Sequence, residues 1–569
     1  MSGDAAVTEP GADASGFVAS GSQPRETAAD RRAQLNVVEL AYEMAEQHKV
    51  CRRPLAMLAT DLDTHGSKYV GAPCKSTLEC VCPACAAKAR ALRIQQAREG
   101  WHIEEEPVIE KNPPTQQQGE LLTARAALTE EYEKARDDGD TEAMDGIREV
   151  VADLDEELRA TGIRGKLPPL DPEAKPVRKR STRRRQEQPD LPRKKVAKTT
   201  LGRVYAGKYR PSMFVTLTLP SYGRVGPDGA PVDPDSYDYR QAARDIVHFS
   251  ALFDRFVQNY RRASGRDVQY FATVEPQRRG APHIHIGIRG TDPKALIRQL
   301  AAATYHQVWW PHFDQEVYEG GRLPYWDYAA GRFVDPDTQQ PVPTWGEVMD
   351  LMDSVDDLEP AHVVRFGTQV DVKGILGGTE EAGRHIGYLT KYLTKSIGDV
   401  IEPKSQRAAD HYDRLHEELC KTPCSPTCGL WFRYGVIPKG ATAKTIPGLC
   451  KGKAHRRDTL GMRGRRVLVS RKWTGKDLAD HKADRAEFVR QRLAEAGISR
   501  EVISRLQITP VEPGDPNAPP REHLIMQMIA QKITQQAEYT RAMLADPPTG
   551  LMPSNTAEAQ HGSSEDTAA

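Results

Sequence analysis

Two histidines separated by a single residue, His283 and His285, stand in the segment PHIHIGI. On a strand successive side chains alternate faces, so both imidazoles point one way and Ile284, Ile286 and Ile288 point the other. A pair of imidazoles on rigid backbone suits a divalent cation. Glu275 stands eight positions before His283, at the end of the preceding extended segment, with the turn-like PQRRGAP between them. Residues directly opposite each other in an antiparallel hairpin share a face, so pairing of Glu275 with His283 makes all three side chains converge. One carboxylate with two imidazoles suits Mg²⁺ or Mn²⁺, with positions left open for phosphate oxygens.

A second group lies in GYLTKYLTK, residues 387–395. On a helix Tyr388 and Tyr392 share a face, and Lys391 and Lys395 form a neighbouring stripe. A phenol can attack a phosphodiester and form a covalent phosphotyrosine. Its free pKa near 10 makes it a poor nucleophile, so a metal ion or a lysine must favour phenolate and offset charge on phosphate.

The nine cysteines fall into two groups, a pattern that points to metal rather than disulfides in a cytosolic protein. Cys82 and Cys85 form a C-x-x-C pair, to which Cys51 and Cys74 add two further thiolates for a tetrahedral structural Zn²⁺; Cys80 competes with Cys74. In the last third Cys420, Cys424 and Cys428 recur at x3 spacing and Cys450 follows, with His416 and His455 nearby. The four cysteines are the expected ligands of a second structural zinc, with His455 as the substitute. That zinc would hold a basic surface (Arg456, Arg457, Arg463, Arg465 and Arg466) against DNA.

The elements that must position these groups follow from hydrophobic period. MFVTLTLP (213–220) alternates as a strand, and apolar residues from Phe249 to Tyr260 recur on one face of a helix over 239–262. YFATVE (270–275) and HIHIGI (283–288) read as short paired strands. Residues 292–310 read as a helix capped by Thr291 or Asp292, and VVRFGTQVDV (363–372) as extended chain. Gly377, Gly378 and Thr379 introduce a helix reaching about Gly398. The order β-α-β-β-α-β-α predicts an α+β unit with helices packed on a mostly antiparallel sheet. Upstream, 121–161 is dense in Ala, Glu, Leu and Arg around DDGD and reads as a helical hairpin.

At 569 residues the chain is too long for one core. The expected organisation is a disordered tail (1–30), an N-terminal Cys-rich zinc module (31–104), a helical hairpin and basic linker (105–200), the unit carrying the histidines and tyrosines (201–400), a second Cys-rich basic module (401–475), a C-terminal helical region (476–545) and a second disordered tail (546–569). Lys plus Arg and Asp plus Glu both number 79, so net charge is uninformative about nucleic acid. The run Arg178, Lys179, Arg180, Arg183, Arg184 and Arg185, followed by Arg193, Lys194 and Lys195, can neutralise phosphates or serve as a solvated linker. Mean hydropathy is -0.61, no apolar run approaches membrane-helix length, and the first residues lack the blocks of a signal peptide, so a cytoplasmic protein is expected. No G-x-x-x-x-G-K-[ST] occurs, which argues against an ATP-driven helicase domain.

The succession FVTLTL, Glu-x7-His-x-His and Tyr-x-x-Lys-Tyr resembles the HUH endonuclease superfamily: its first motif, its His-hydrophobe-His metal motif and its tyrosine motif. The resemblance implies an HUH-type antiparallel sheet with a central histidine strand, a tyrosine helix beside it, and DNA nicking through a 5′-phosphotyrosine. The tyrosines follow the histidines, as in replication initiators, whereas conjugative relaxases typically place the tyrosine first. Paired tyrosines resemble initiators that use two nucleophiles alternately, although other initiators have one. Tyr392 is the first choice here and Tyr388 the second, with Lys391 stabilising charge at the phosphate.

More closely, CRRPLAMLATD, STLECVCPACAAKARALR, HFSALFDRF, VEPQRRGAPHIHI, YLTKYLTKS, CSPTCGLWFRYGV and RRVLVSRKWTGKDL are similar to the actinomycete RepSA-type plasmid replication initiators. These stretches span about 51 to 478, and 105–198 is the least family-like part. The similarity implies a rolling-circle initiator acting on plasmid or integrative-element origin DNA, single-stranded at the nick, with host helicase and DNA polymerase as partners. The alternatives are a relaxase or HUH transposase with the same chemistry, or a non-catalytic zinc-dependent DNA-binding regulator.

Overall fold

The computed structural model describes residues 37–109, 114–163, 167–171, 191–201, 204, 210–318, 322–376, 379–391, 393–495, 497, 506–512 and 514–545. Both expected tails, the basic run 178–185, Gly377, Gly378 and Tyr392 lie outside the described residues. In chain order the first elements are α1 (Val37–Gln47), β1 (Leu55–Asp61), β2 (Ser67–Ala72) and α2 (Pro83–Trp101), then the long helices α3 (Gln116–Asp138) and α4 (Thr141–Ala160). The middle of the chain supplies β3 (Pro211–Thr218), α5 (Tyr239–Ser264), β4 (Tyr270–Pro276), β5 (Pro282–Arg289), α6 (Lys294–Ala303) and β6 (Tyr305–Val308). After these come β7 (Tyr325–Asp327), β8 (Arg332–Val334), α7 (Trp345–Ser354), β9 (His362–Arg365), β10 (Val370–Leu376) and α8 (Glu380–Thr390). The last are α9 (Ile397–Val400), α10 (Gln406–Lys421), β11 (Val467–Val469), α11 (Leu478–Glu495), β12 (Leu506–Pro510) and α12 (Arg521–Ala545).

The chain divides into two compact units, Met1–Lys88 with Glu487–Ala569, and Ala89–Ala486. The larger is α+β, built on a five-stranded antiparallel sheet in the order β10-β3-β5-β4-β11. Both faces of the sheet are covered. On one, Ile284, Ile286 and Ile288 of β5 join Val215 and Leu217 of β3 and the apolar stripe Phe249, Leu252, Phe253, Phe256 and Tyr260 of α5 in a single core. Helix α5 starts at Asp238, whose side chain accepts the Gln241 amide, and stops at Gly265 in the left-handed region. On the other face Phe214 and Phe271 meet Ala382, Ile386 and Leu389 of α8, together with Trp101 and Trp473. Strand β5 therefore sits at the centre, buried on both sides, with its histidines on the α8 face.

The hairpin read around DDGD forms as α3 and α4. Thr115 and Gln118 close a capping box on α3, Gly139 ends it with φ 74°, and Asp140 caps α4. In the smaller unit β1 pairs with β2 on one side and with β12 on the other, all antiparallel. Ala41, Ala45 and Val50 pack against Ile525 and Ile529 of α12.

Three expectations change. The helix expected over 292–310 starts only at Lys294, behind Pro293 with no side-chain cap, and ends at Ala303. Beyond it Tyr305–Val308 becomes strand β6, because β9 offers it a ladder. The extended segment 363–372 is two strands in two sheets, β9 and β10. Between them the Gly367 amide donates to the Thr218 carbonyl at 2.8 Å, and a Cβ at Gly367 would lie 2.8 Å from the Leu219 carbonyl oxygen. Only glycine lets the chain turn so close to β3. Finally, the tyrosine helix stops at Thr390, and a separate short helix, α9, follows. No helix among the described residues is long and apolar enough to cross a membrane.

Candidate active site and metal centres

Cross-strand register brings the carboxylate and the imidazoles together. Glu275 on β4 is directly opposite His283 on β5, and His285 is two residues further along the same face. The ligand atoms of Glu275, His283 and His285 all lie within 4.8 Å of one another, and the two Nε2 atoms are 2.9 Å apart. Burial pushes the Glu275 carboxyl up to about 7 against the pull of Arg466 and Lys391. Burial likewise lowers His283 to about 4 and His285 to about 3. The imidazoles are thus held neutral, the form that ligates metal. The Oε1 atom of Glu275 is buried with no hydrogen-bond partner among the described residues. A buried oxygen left unsatisfied costs roughly 1–3 kcal/mol, and a cation would remove that cost. One carboxylate oxygen and two imidazole nitrogens fit a hard or borderline divalent ion.

Of the two tyrosines, Tyr388 is the one seen beside this cluster. Thr379 caps α8 by accepting the Ala382 amide, and Ala382, Ile386 and Leu389 anchor the helix to the sheet. Tyr388 is 45% exposed, and its hydroxyl lies 3.5 Å from Nε2 of His285. Its ring meets the His285 ring edge-on, with centroids 5.0 Å apart, and the Phe214 ring at 6.0 Å. Tyr392 lies outside the described residues, and α8, which ends at Thr390, carries Tyr388. Lys391 is the C-cap of α8, and its charge reaches Glu275.

Sequence reasoning missed four residues around the site. Thr216 on β3 is opposite His285, with Oγ1 2.9 Å from Nδ1. Phe214 stacks on the His285 ring at 5.5 Å. Arg90 donates to the Thr390 carbonyl at 2.9 Å, satisfying an acceptor that the end of α8 leaves open. Arg466, read only as part of a basic surface, donates to the carbonyls of Val274 at 3.3 Å and Lys395 at 2.5 Å. The alternation in FVTLTL, which turns Phe214, Thr216 and Thr218 to one face, was the one available signal.

The cysteines form two clusters. Cys51, Cys74, Cys82 and Cys85 come together as expected, with Sγ of Cys51 and Cys82 3.8 Å apart, and Cys80 is exposed outside the group. The second cluster needs a correction: it comprises Cys424, Cys428, Cys450 and His455, without Cys420. Cys420 remains on α10, where its thiol meets His416 one turn earlier at 3.5 Å. The Nδ1–H of His455 donates to the Leu419 carbonyl at 2.8 Å, which leaves Nε2 to face Cys428 Sγ at 3.5 Å. Three thiols with one imidazole suit zinc. The arginines that follow are mostly engaged within the fold. Arg456 pairs with Asp458, Arg457 with Asp413 at 2.6 Å, and Arg463 donates to the Cys424 carbonyl.

A family model described as RepSA, replication initiator protein, pSAM2, matches residues 38–531. The chain is also similar to a replication initiator protein of Streptomyces ambofaciens, 26% identical over 284 residues. That match covers 39% of this chain and 52% of the relative, about half of its length. No solved structure matches the chain.

Proposed function

The chain belongs to the RepSA family of replication initiators, and from that premise we propose that it starts rolling-circle replication as an HUH-type endonuclease acting on origin DNA. The observation that carries the reading is the 3.5 Å approach of the Tyr388 hydroxyl to Nε2 of His285, within a cluster that includes His283 and Glu275. Glu275, His283 and His285 would hold Mg²⁺ or Mn²⁺. Such an ion supplies positive charge at the scissile phosphate. The Tyr388 oxygen attacks phosphorus, the bond to the 3′-oxygen breaks, and the tyrosine keeps the 5′-phosphate. The phenol proton leaves to solvent, to which the side chain is open, and the departing 3′-oxygen takes one up. That 3′-hydroxyl primes the polymerase. Lys391 offsets charge at the phosphate, and Tyr392 makes the second transfer that closes the circle.

A central histidine strand with the tyrosine helix packed on the same face supports the HUH-type reading of 201–400. Structural zinc in the four-cysteine cluster of 31–104 and the three-cysteine, one-histidine cluster of 401–475 completes it. The origin of a plasmid or integrative element, single-stranded at the nick, is the substrate. Host helicase and DNA polymerase are the partners, in the cytoplasm.

The test is cleavage of a single-stranded origin oligonucleotide with Mn²⁺ by wild type, Tyr388→Phe, Tyr392→Phe and the double variant. A metal-dependent covalent protein–DNA band that disappears with Tyr388→Phe is the expected result. A band retained by the double variant, or none from intact wild type, overturns the reading. The latter result would leave a zinc-dependent DNA-binding protein.

A further inference from the structure

Thr216 faces His285 across the β3–β5 ladder, and its hydroxyl is 2.9 Å from Nδ1. We infer that Thr216 is a positioning residue that holds His285 as the Nδ1–H tautomer and thereby sets the affinity of the triad for a divalent cation. This deepens the nuclease reading and rests on it.

A neutral imidazole carries one N–H and one lone pair. In His285 the nitrogen turned toward the cluster is Nε2, 2.9 Å from Nε2 of His283. A cation bound by the triad takes the Nε2 lone pair, so the proton must sit on Nδ1, where the Thr216 oxygen accepts it. Two constraints then fix the ring. Phe214 lies against its face, with centroids 5.5 Å apart and planes 24° from parallel, and the hydroxyl sets rotation about the bond to Cγ.

Loss of that acceptor has a definite consequence. His285 is only 5% exposed, so water cannot readily replace the hydroxyl. An Nδ1–H left without a partner is costly, and the tautomer with its proton on Nε2, which cannot ligate, gains population. Thr218, the next residue on this face of β3, lies opposite His283, but its hydroxyl goes to the Gln369 carbonyl at 3.2 Å. Of these two threonines, Thr216 is therefore the one whose hydroxyl is committed to the triad.

The experiment measures Mn²⁺ affinity of the full chain by electron paramagnetic resonance for wild type, Thr216→Val, Thr216→Ser and Glu275→Ala. Valine keeps the shape and removes the hydroxyl; serine keeps the hydroxyl. Wild type is expected to bind Mn²⁺ in a Glu275-dependent manner, with valine weakening binding about 10- to 100-fold and serine close to wild type. Valine binding as tightly as wild type overturns this inference alone. Absence of Glu275-dependent binding in wild type overturns the metal reading and this inference with it. The ¹⁵N shifts of His285 in wild type loaded with Mg²⁺ give a second readout that needs no variant to fold. A proton on Nδ1 supports the assignment, and a proton on Nε2 refutes it.

Discussion

At the scale of single residues, the chemistry is legible where it follows the period of a strand. His283 and His285 alternate with isoleucines, and an eight-residue separation returns Glu275 opposite His283, so their convergence can be read from spacing. What surrounds them comes from distant chain and leaves no local mark. Gly287, two residues after His285, looks like a permissive strand glycine, yet it is where the Trp101 ring packs closest on the sheet. A Cβ there would lie 2.5 and 2.7 Å from atoms of the Trp101 ring. The ring cannot retreat, because it is 1% exposed, its Nε1 donates to Ser212 Oγ at 2.7 Å, and Trp473 packs against it. Gly287→Ala should therefore overpack the α8 side of the sheet and cost about 1–3 kcal/mol. Urea unfolding checks this, and a midpoint equal to wild type would show that the close approach is not enforced.

Elements were legible where one period runs unbroken and illegible where pairing with distant chain decides the outcome. The apolar stripe of α5 announces its helix, whereas β6 looks like the end of a helix until β9 pairs with it. The second cysteine cluster differs from the expected four-cysteine set for a related reason. Cys420, Cys424 and Cys428 have even spacing, but the buried face of α10 is set by Ala408, His411, Tyr412, Leu415 and Leu419, and Cys420, still within the helix, is only partly buried beside it. That helical period was present in the sequence and, given more weight than cysteine spacing, would have kept Cys420 out of the ligand set. Wild type should thus contain two equivalents of zinc, one per cluster. Cys420→Ser and Cys80→Ser should keep both, while Cys424→Ser and His455→Ala should each lose one, as elemental analysis of the purified protein can determine. Loss of an equivalent with Cys420→Ser, or none with His455→Ala, would restore the four-cysteine assignment.

For the whole molecule, the least legible feature is that the two ends of the chain build one unit. Local pattern separates an N-terminal cysteine module from a C-terminal helical region, because a strand pairing that spans most of the chain leaves no trace in either segment. In the structure β12 is the outer neighbour of β1, from Met57 opposite Pro510 to Asp61 opposite Leu506. Helix α12 adds Ile525 and Ile529 to the core of α1, and Met528 packs against the Cys51, Cys82 and Cys85 cluster. Four thiols brought together on so little core depend on every element that buries them. Removing the chain after residue 505 would take away one strand and one helix, exposing an unpaired edge on β1. The truncated protein should lose the zinc of the four-cysteine cluster and become protease-sensitive before residue 88. The zinc held by Cys424, Cys428, Cys450 and His455 should remain, because its ligands and their supports belong to Ala89–Ala486. One zinc equivalent in the truncated chain, retained through limited proteolysis by a fragment lacking the N-terminal cysteines, is the expected result. Two equivalents would show that the N-terminal module folds without its C-terminal strand, and zero would show that the larger unit needs it as well.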